Sequence, residues 1–146
     1  MSLNYDGIDL LWSNTGDLVI GHEGDVGDTS FDSLLAAGQD IYDRCKCDAS
    51  DYKEAPLVGA TISDFTGEPN NAANGAAMRS RLINTLQTYG VFSGSDLSVD
   101  TFPVSLTRIA ATIQLRVKAT QANKNSQLIQ QTIFYDYGEN HVISGN

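Results

Sequence analysis

Two histidines, two cysteines and eighteen carboxylates are the first places to look for chemistry in this 146-residue chain. His22 and His141 lie near opposite ends in loop-like surroundings, so a nucleophile, a base and an orienting acid have little to assemble around. Cys45 and Cys47 are one residue apart, which strains a mutual disulfide, and two thiolates alone are an incomplete set for zinc. Cys45 is expected as a small buried residue on a helix face, with Cys47 in the loop behind it. Glu23, Asp25 and Asp28 offer oxygen ligands in the glycine-rich stretch from His22 to Asp28. The order lacks the alternating acids and closing glutamate of an EF-hand, so a solvated loop is expected. Asp64 and Glu68 flank a helix end and are the best available carboxylate pair for glycoside hydrolysis. Such a pair needs a cleft that separates two pKa values and a platform for sugar, and one tryptophan, Trp12, with scattered tyrosines supplies no visible platform. Glu68 fits a structural carboxylate better. There is no G-x-S-x-G, G-x-x-x-x-G-K-[ST], H-E-x-x-H or G-x-G-x-x-G, and Gly21, Gly24 and Gly27 recur without a strand-turn-helix context. The expectation is a protein that is not an enzyme and holds no cofactor or metal.

The elements around these residues read as an α+β fold, amphipathic helices on a small antiparallel sheet with a long carboxyl-terminal β-hairpin. Ile109, Ala111, Ile113, Leu115 and Val117 alternate with Ala110, Thr112, Gln114, Arg116 and Lys118, the period of a half-buried strand. A second β-prone run follows from Leu128 to Tyr137, with Ile129, Ile133 and Tyr135 on one side and Leu128, Thr132 and Phe134 on the other. Polar Thr120 to Gln127 bridges the two. This outer strand is neither short nor lysine-rich and is expected to be a docking edge. Leu97, Val99 and Thr101 alternate in a further strand that Pro103 ends or confines to an edge.

Upstream, Gly7 to Trp12 and Leu18 to Ile20 suggest a small hairpin turned by Ser13 to Asp17. Thr29 with Asp32 resembles a capping box, opening a helix whose apolar stripe is Phe31, Leu34, Leu35, Ile41, Tyr42 and Cys45. Pro56 suits the first turn of a second helix, Leu57 to about Phe65, ended by Gly67. A third is expected from about Ala72 to Tyr89, with Met78, Leu82, Ile83, Leu86 and Tyr89 apolar and Gly90 beyond its end. The expected organisation is one domain: strands and an acidic loop over 1–28, a helical part over 29–90, sheet over 95–137 and a tail over 138–146. No internal repeat is read.

The length suffices for a core without staples, and 41% apolar with 18% charged residues argues against disorder. No apolar run is long enough to span a bilayer, and Met1 to Tyr5 lacks the basic and apolar regions of a signal peptide, so synthesis in the cytosol is expected. The net charge of −9 is uneven: residues 1–68 carry 14 acidic and 3 basic groups, residues 69–146 carry 4 and 6. Such a surface repels nucleic-acid phosphate, while the mildly basic second half can face acidic protein surfaces. A solvated acidic face that serves only solubility remains an equal alternative.

The order Gly16-Asp17-Leu18, an acidic glycine loop, a helix containing Gln39 to Arg44 ("QDIYDR"), the run Pro56 to Asn70 ("PLVGATISDFTGEPN"), a helix and a late hairpin resembles the baseplate-wedge and sheath-initiator family of contractile phage tails. Relatives of that family occur in pyocins and type VI secretion baseplates, and some of its members carry a lysozyme-like label. The resemblance spans roughly Asp6 to Tyr137. It implies a structural virion protein, made in the host cytoplasm and present in multiple copies per baseplate. Its partners would be baseplate wedge proteins, the tail sheath protein and, further, tube or hub proteins, with no nucleic acid and no membrane. The family signature Glu-Pro-Arg falls on Glu68, Pro69 and Asn70. The arginine is missing, which puts its ion pair in doubt, and Arg79 or Arg81 one to two turns on could substitute. These five residues are the wedge contact the resemblance implies. The sheath contact would be Leu128, Gln130, Thr132, Ile133, Phe134 and Tyr135, adding to a sheath strand through the main chain. An acidic cell-wall hydrolase of the tail and an unrelated cytosolic binding module are the alternatives.

Overall fold

The alternating run forms the middle of an antiparallel sheet in the computed structural model, which describes residues 10–13, 16–30, 33–90, 92, 94–117, 127–139 and 141–145. Strand β1 spans Leu97–Pro103, β2 Arg108–Val117, β3 Gln127–Asp136 and β4 His141–Gly145, in the order β1-β2-β3-β4. Ile109, Ala111, Ile113 and Leu115 are at most 2% exposed, while Gln114 and Arg116 are exposed, so the two faces fall as the period requires. Lys118 and the connection over 118–126 lie outside the described residues. Ala110, on the opposite face, is also buried, a small residue whose cross-strand neighbours are the large Phe102 and Phe134.

Two helices cover the inner face, α1 at Ser33–Lys46 and α2 at Ala72–Gln87, giving the expected α+β architecture. On α1 the core stripe is Ala37, Ile41 and Cys45, each fully buried at i, i+4 and i+8. Leu35, expected in that stripe, is 36% exposed, and Phe31 and Asp32 lie outside the described residues. Asn71 caps α2 by accepting the Asn74 N–H at 2.8 Å. Met78, Leu82 and Leu86 of α2 meet Val99, Ile113 and Ile133 of the sheet in one core cluster. Burying each such side chain contributes roughly 1.5–3 kcal/mol. Arg44 of α1 donates to the Thr85 and Thr88 carbonyls at 3.2 and 3.3 Å, adding charged donors at the end of α2, where the Thr88 N–H also bonds the Thr85 carbonyl.

Four expectations need correction. The second helix is only a 3-10 turn, Ile62–Phe65: Gly59 (φ 134°) and Thr61 (φ 49°) take conformations that interrupt a helix, and Leu57 is 68% exposed. The third helix stops at Gln87, and Tyr89 itself takes the left-handed conformation (φ 61°) and stands 56% exposed. The segment 138–146 is not merely a tail, because His141–Gly145 pairs with β3 as a fourth strand. An internal repeat does exist, of eight residues. Ser13 and Gly21 donate N–H bonds to Asp17 and Asp25 at 2.8 and 2.7 Å, across turns in which Gly16 (φ 88°) and Gly24 (φ 80°) accept the same left-handed bend. The three short segments close on one another: Leu11 N–H to Gly27, Gly27 N–H to Val19 and Val19 N–H to Leu11. Gly-Asp followed by an apolar residue, at 16–18 and 24–26, is its sequence trace.

Candidate functional site

The direction of each backbone group on β3 follows from one hydrogen bond and from alternation. Tyr137 N–H donates to the Thr107 carbonyl at 2.8 Å on the β2 side, so Tyr135, Ile133, Gln131, Ile129 and Gln127 direct their N–H and C=O groups to β2. The even-numbered residues direct theirs the other way. There β4 pairs only as far back as Thr132 with Gly145. Leu128 and Gln130 therefore present backbone donors and acceptors outward with no partner among the described residues. The expected outer strand is thus outer only in its first half. Ile133 turns its groups to β2, and Thr132 and Phe134 meet β4. The β4 strand forms because Asp136 folds the chain back, its carboxylate accepting the Gly138 N–H at 2.9 Å, and because Val142 and Ile143 favour strand.

A groove of about 730 Å³ runs along this unpaired stretch. One wall is α1, with Leu34, Leu35, Gly38 and Tyr42; another is the amino-terminal segment, with Leu11 and Trp12; Tyr52 and Leu128 to Gln131 complete it. Gln39 fixes the two walls together. Its side-chain carbonyl accepts the Trp12 N–H at 2.7 Å and its amide donates to the Leu10 carbonyl at 3.1 Å, as a neighbouring strand would. Leu35, poorly placed for the core, lines the groove. At the opposite edge of the sheet, Arg79 of α2 donates its Nε–H to the outward Val99 carbonyl of β1, and the Thr101 hydroxyl donates to Gly75 of α2 at 3.0 Å.

The wedge-contact residues are brought together only in part. Glu68 and Pro69 are exposed in the loop before α2, and no side-chain contact of Glu68 occurs among the described residues. The cap of α2 comes from Asn71, not from the Glu68 carboxylate. Asn70 donates from Nδ2 to the Ser105 and Arg108 carbonyls at 2.7 and 3.0 Å, tying that loop to the β1–β2 turn. Arg81 donates to the Thr61 carbonyl at 2.7 Å and to Asp64 at 2.8 Å, with its guanidinium 4.9 Å from the Phe65 ring centroid. The Arg81–Asp64 pair is exposed and contributes at most about 1 kcal/mol. Arg79 serves the β1 edge, apart from Arg81.

The groups considered for chemistry are placed otherwise. Asp64 is engaged with Arg81, and His22 is exposed. Burial pushes the Cys45 thiol far above its ordinary pKa, and burial with the nearby Asp51 carboxylate pushes Cys47 up to about 11, so neither is an activated nucleophile. No cluster of three metal-ligating side chains occurs among the described residues. Sequence reasoning missed β4, the Gln39 clamp and the groove. Only the β-branched pair Val142 and Ile143 signalled the first. No known family model matches the chain, and no characterised protein or solved structure matches it.

Proposed function

We propose that the protein is a structural assembly subunit that accepts a partner's strand at the open half of β3. The observation that carries this reading is the outward-facing backbone of Leu128 and Gln130, without a partner among the described residues, beside a preformed groove, while at the other edge of the sheet Arg79 occupies the Val99 carbonyl. A strand set there would lie in line with β4 and extend the sheet by main-chain hydrogen bonds. The setting that the sequence resemblance implies is the baseplate of a contractile tail, where the incoming strand belongs to the first ring of tail sheath subunits. The wedge face is then the exposed Glu68-Pro69 loop and the shallow hollow of about 310 Å³ lined by Leu57, Asp64 and Arg81. The raised thiol pKa values and the engaged Asp64 support a non-enzymatic role.

The test is reconstitution of baseplates with Leu128→Pro protein. Proline there removes an outward donor while leaving the bonds to β2, so baseplates should form and sheath should fail to start. Normal sheath on such baseplates would refute the role of this edge.

A further inference from the structure

A strand lying beside Leu128 to Gln131 must put alternate side chains on the two faces of the sheet. Those opposite Ile129 and Gln131 turn to the helical side, which at this position is the groove between α1 and the amino-terminal segment. Trp12, Leu34, Leu35, Tyr42 and Tyr52 line it, so an apolar side chain is what it takes. The charge around the groove is predominantly acidic. Asp43 and Lys46 both line it, with the Lys46 ammonium 5.5 Å from the Tyr42 ring centroid, and the amino-terminal segment from residue 16 to residue 30 carries Asp17, Glu23, Asp25 and Asp28 with no lysine or arginine. Arg44 is bonded to Asp40 at 2.8 Å. Burial first, then Asp43, Cys47, Asp40 and Asp51, raise the pKa of the Tyr52 hydroxyl in the groove above its ordinary value.

The geometry points to the chemistry of the incoming segment: an extended strand of about five residues, apolar at the alternate positions that enter the groove and flanked by lysine or arginine. This rests on the strand-addition reading and narrows it. Anionic lipid and nucleic acid are repelled by the same rim, and a second copy brings its own net charge of −9 against it.

Trp12 is the single tryptophan and lines the groove, so its fluorescence reads occupancy directly. The probes are three synthetic nine-residue peptides: a Thr-Val-Thr-Val-Thr centre flanked by paired lysines, the same centre flanked by paired glutamates, and the lysine peptide N-methylated along its centre. The lysine peptide should shift Trp12 emission saturably and bind about tenfold more tightly than the glutamate peptide at low salt, the gap closing as salt rises. Asp43→Lys should narrow or reverse that preference. Gly38→Leu should fill the groove and abolish binding with the circular dichroism unchanged, because a Cβ at that helical position meets nothing nearer than the flexible Gln131 side chain at 3.8 Å. Equal binding of the lysine and glutamate peptides would overturn the charge inference and leave strand addition standing. Undiminished binding of the N-methylated peptide would overturn strand addition itself. No binding by the lysine peptide at millimolar concentration, or self-association of the protein that excludes it, would overturn the proposed recognition.

Discussion

At Gly59 a Cβ would lie 2.4 Å from the Asp48 carbonyl carbon, and the φ of 134° is one that side chains rarely adopt. Gly59→Ala should therefore cost about 2–4 kcal/mol in denaturant unfolding. Gly24→Ala, left-handed but open to solvent, should cost about 1 kcal/mol. Asp136 makes a residue-scale prediction in pH. The Gly138 N–H, and then the Arg108 guanidinium beside it, hold its carboxyl below the ordinary 3.8. A depressed folded pKa means the stabilisation is present above that ordinary value and is lost as pH falls through the lower folded one. The stability difference between the natural protein and Asp136→Asn should be constant at neutral pH and shrink below about pH 4, as acid unfolding curves will show. Glu68→Gln belongs at this scale too. Its stability should stay within about 0.5 kcal/mol of the natural protein, while its co-assembly with wedge proteins weakens.

The proposed function rests on a strand edge, and proline substitution separates the two directions of β3. Ile129→Pro removes a donor to β2 inside the ladder and should unfold the protein, whereas Leu128→Pro removes an outward donor and should leave a cooperative fold. Comparing the two by circular dichroism melting checks the backbone directions independently of any partner. Much at this scale was legible in the sequence. Ile109 to Leu115 announced both faces of β2, and Met78, Leu82 and Leu86 the buried side of α2, because burial on one face writes a period into the chain. The false second helix shows why the rest was not. Pro56 and Gly67 suit helix punctuation locally, but the close approach of Gly59 to Asp48 is a tertiary demand with no periodic trace. The candidate edge was half legible: the strand was evident, but how far it stays unpaired depends on the five-residue β4, too short to show a pattern.

For the whole molecule, the two faces of charge and the two edges of the sheet give one arrangement. The acidic half supplies α1 and the amino-terminal segment as walls, the less acidic half supplies the strand they flank, and at the far edge Arg79 of α2 occupies the Val99 carbonyl. Under the proposed function the sheet grows at the open half of β3 and not at that far edge. Amide hydrogen exchange at Leu128 and Gln130, in the isolated protein and in baseplates carrying sheath, measures that claim most directly. In the isolated protein both amides should exchange fast while Ile129 and Gln131 are protected, and assembly should slow the two by about a hundredfold. Rates at Leu128 and Gln130 that sheath leaves unchanged, or protection already equal to that of Ile129 in the isolated protein, would contradict it.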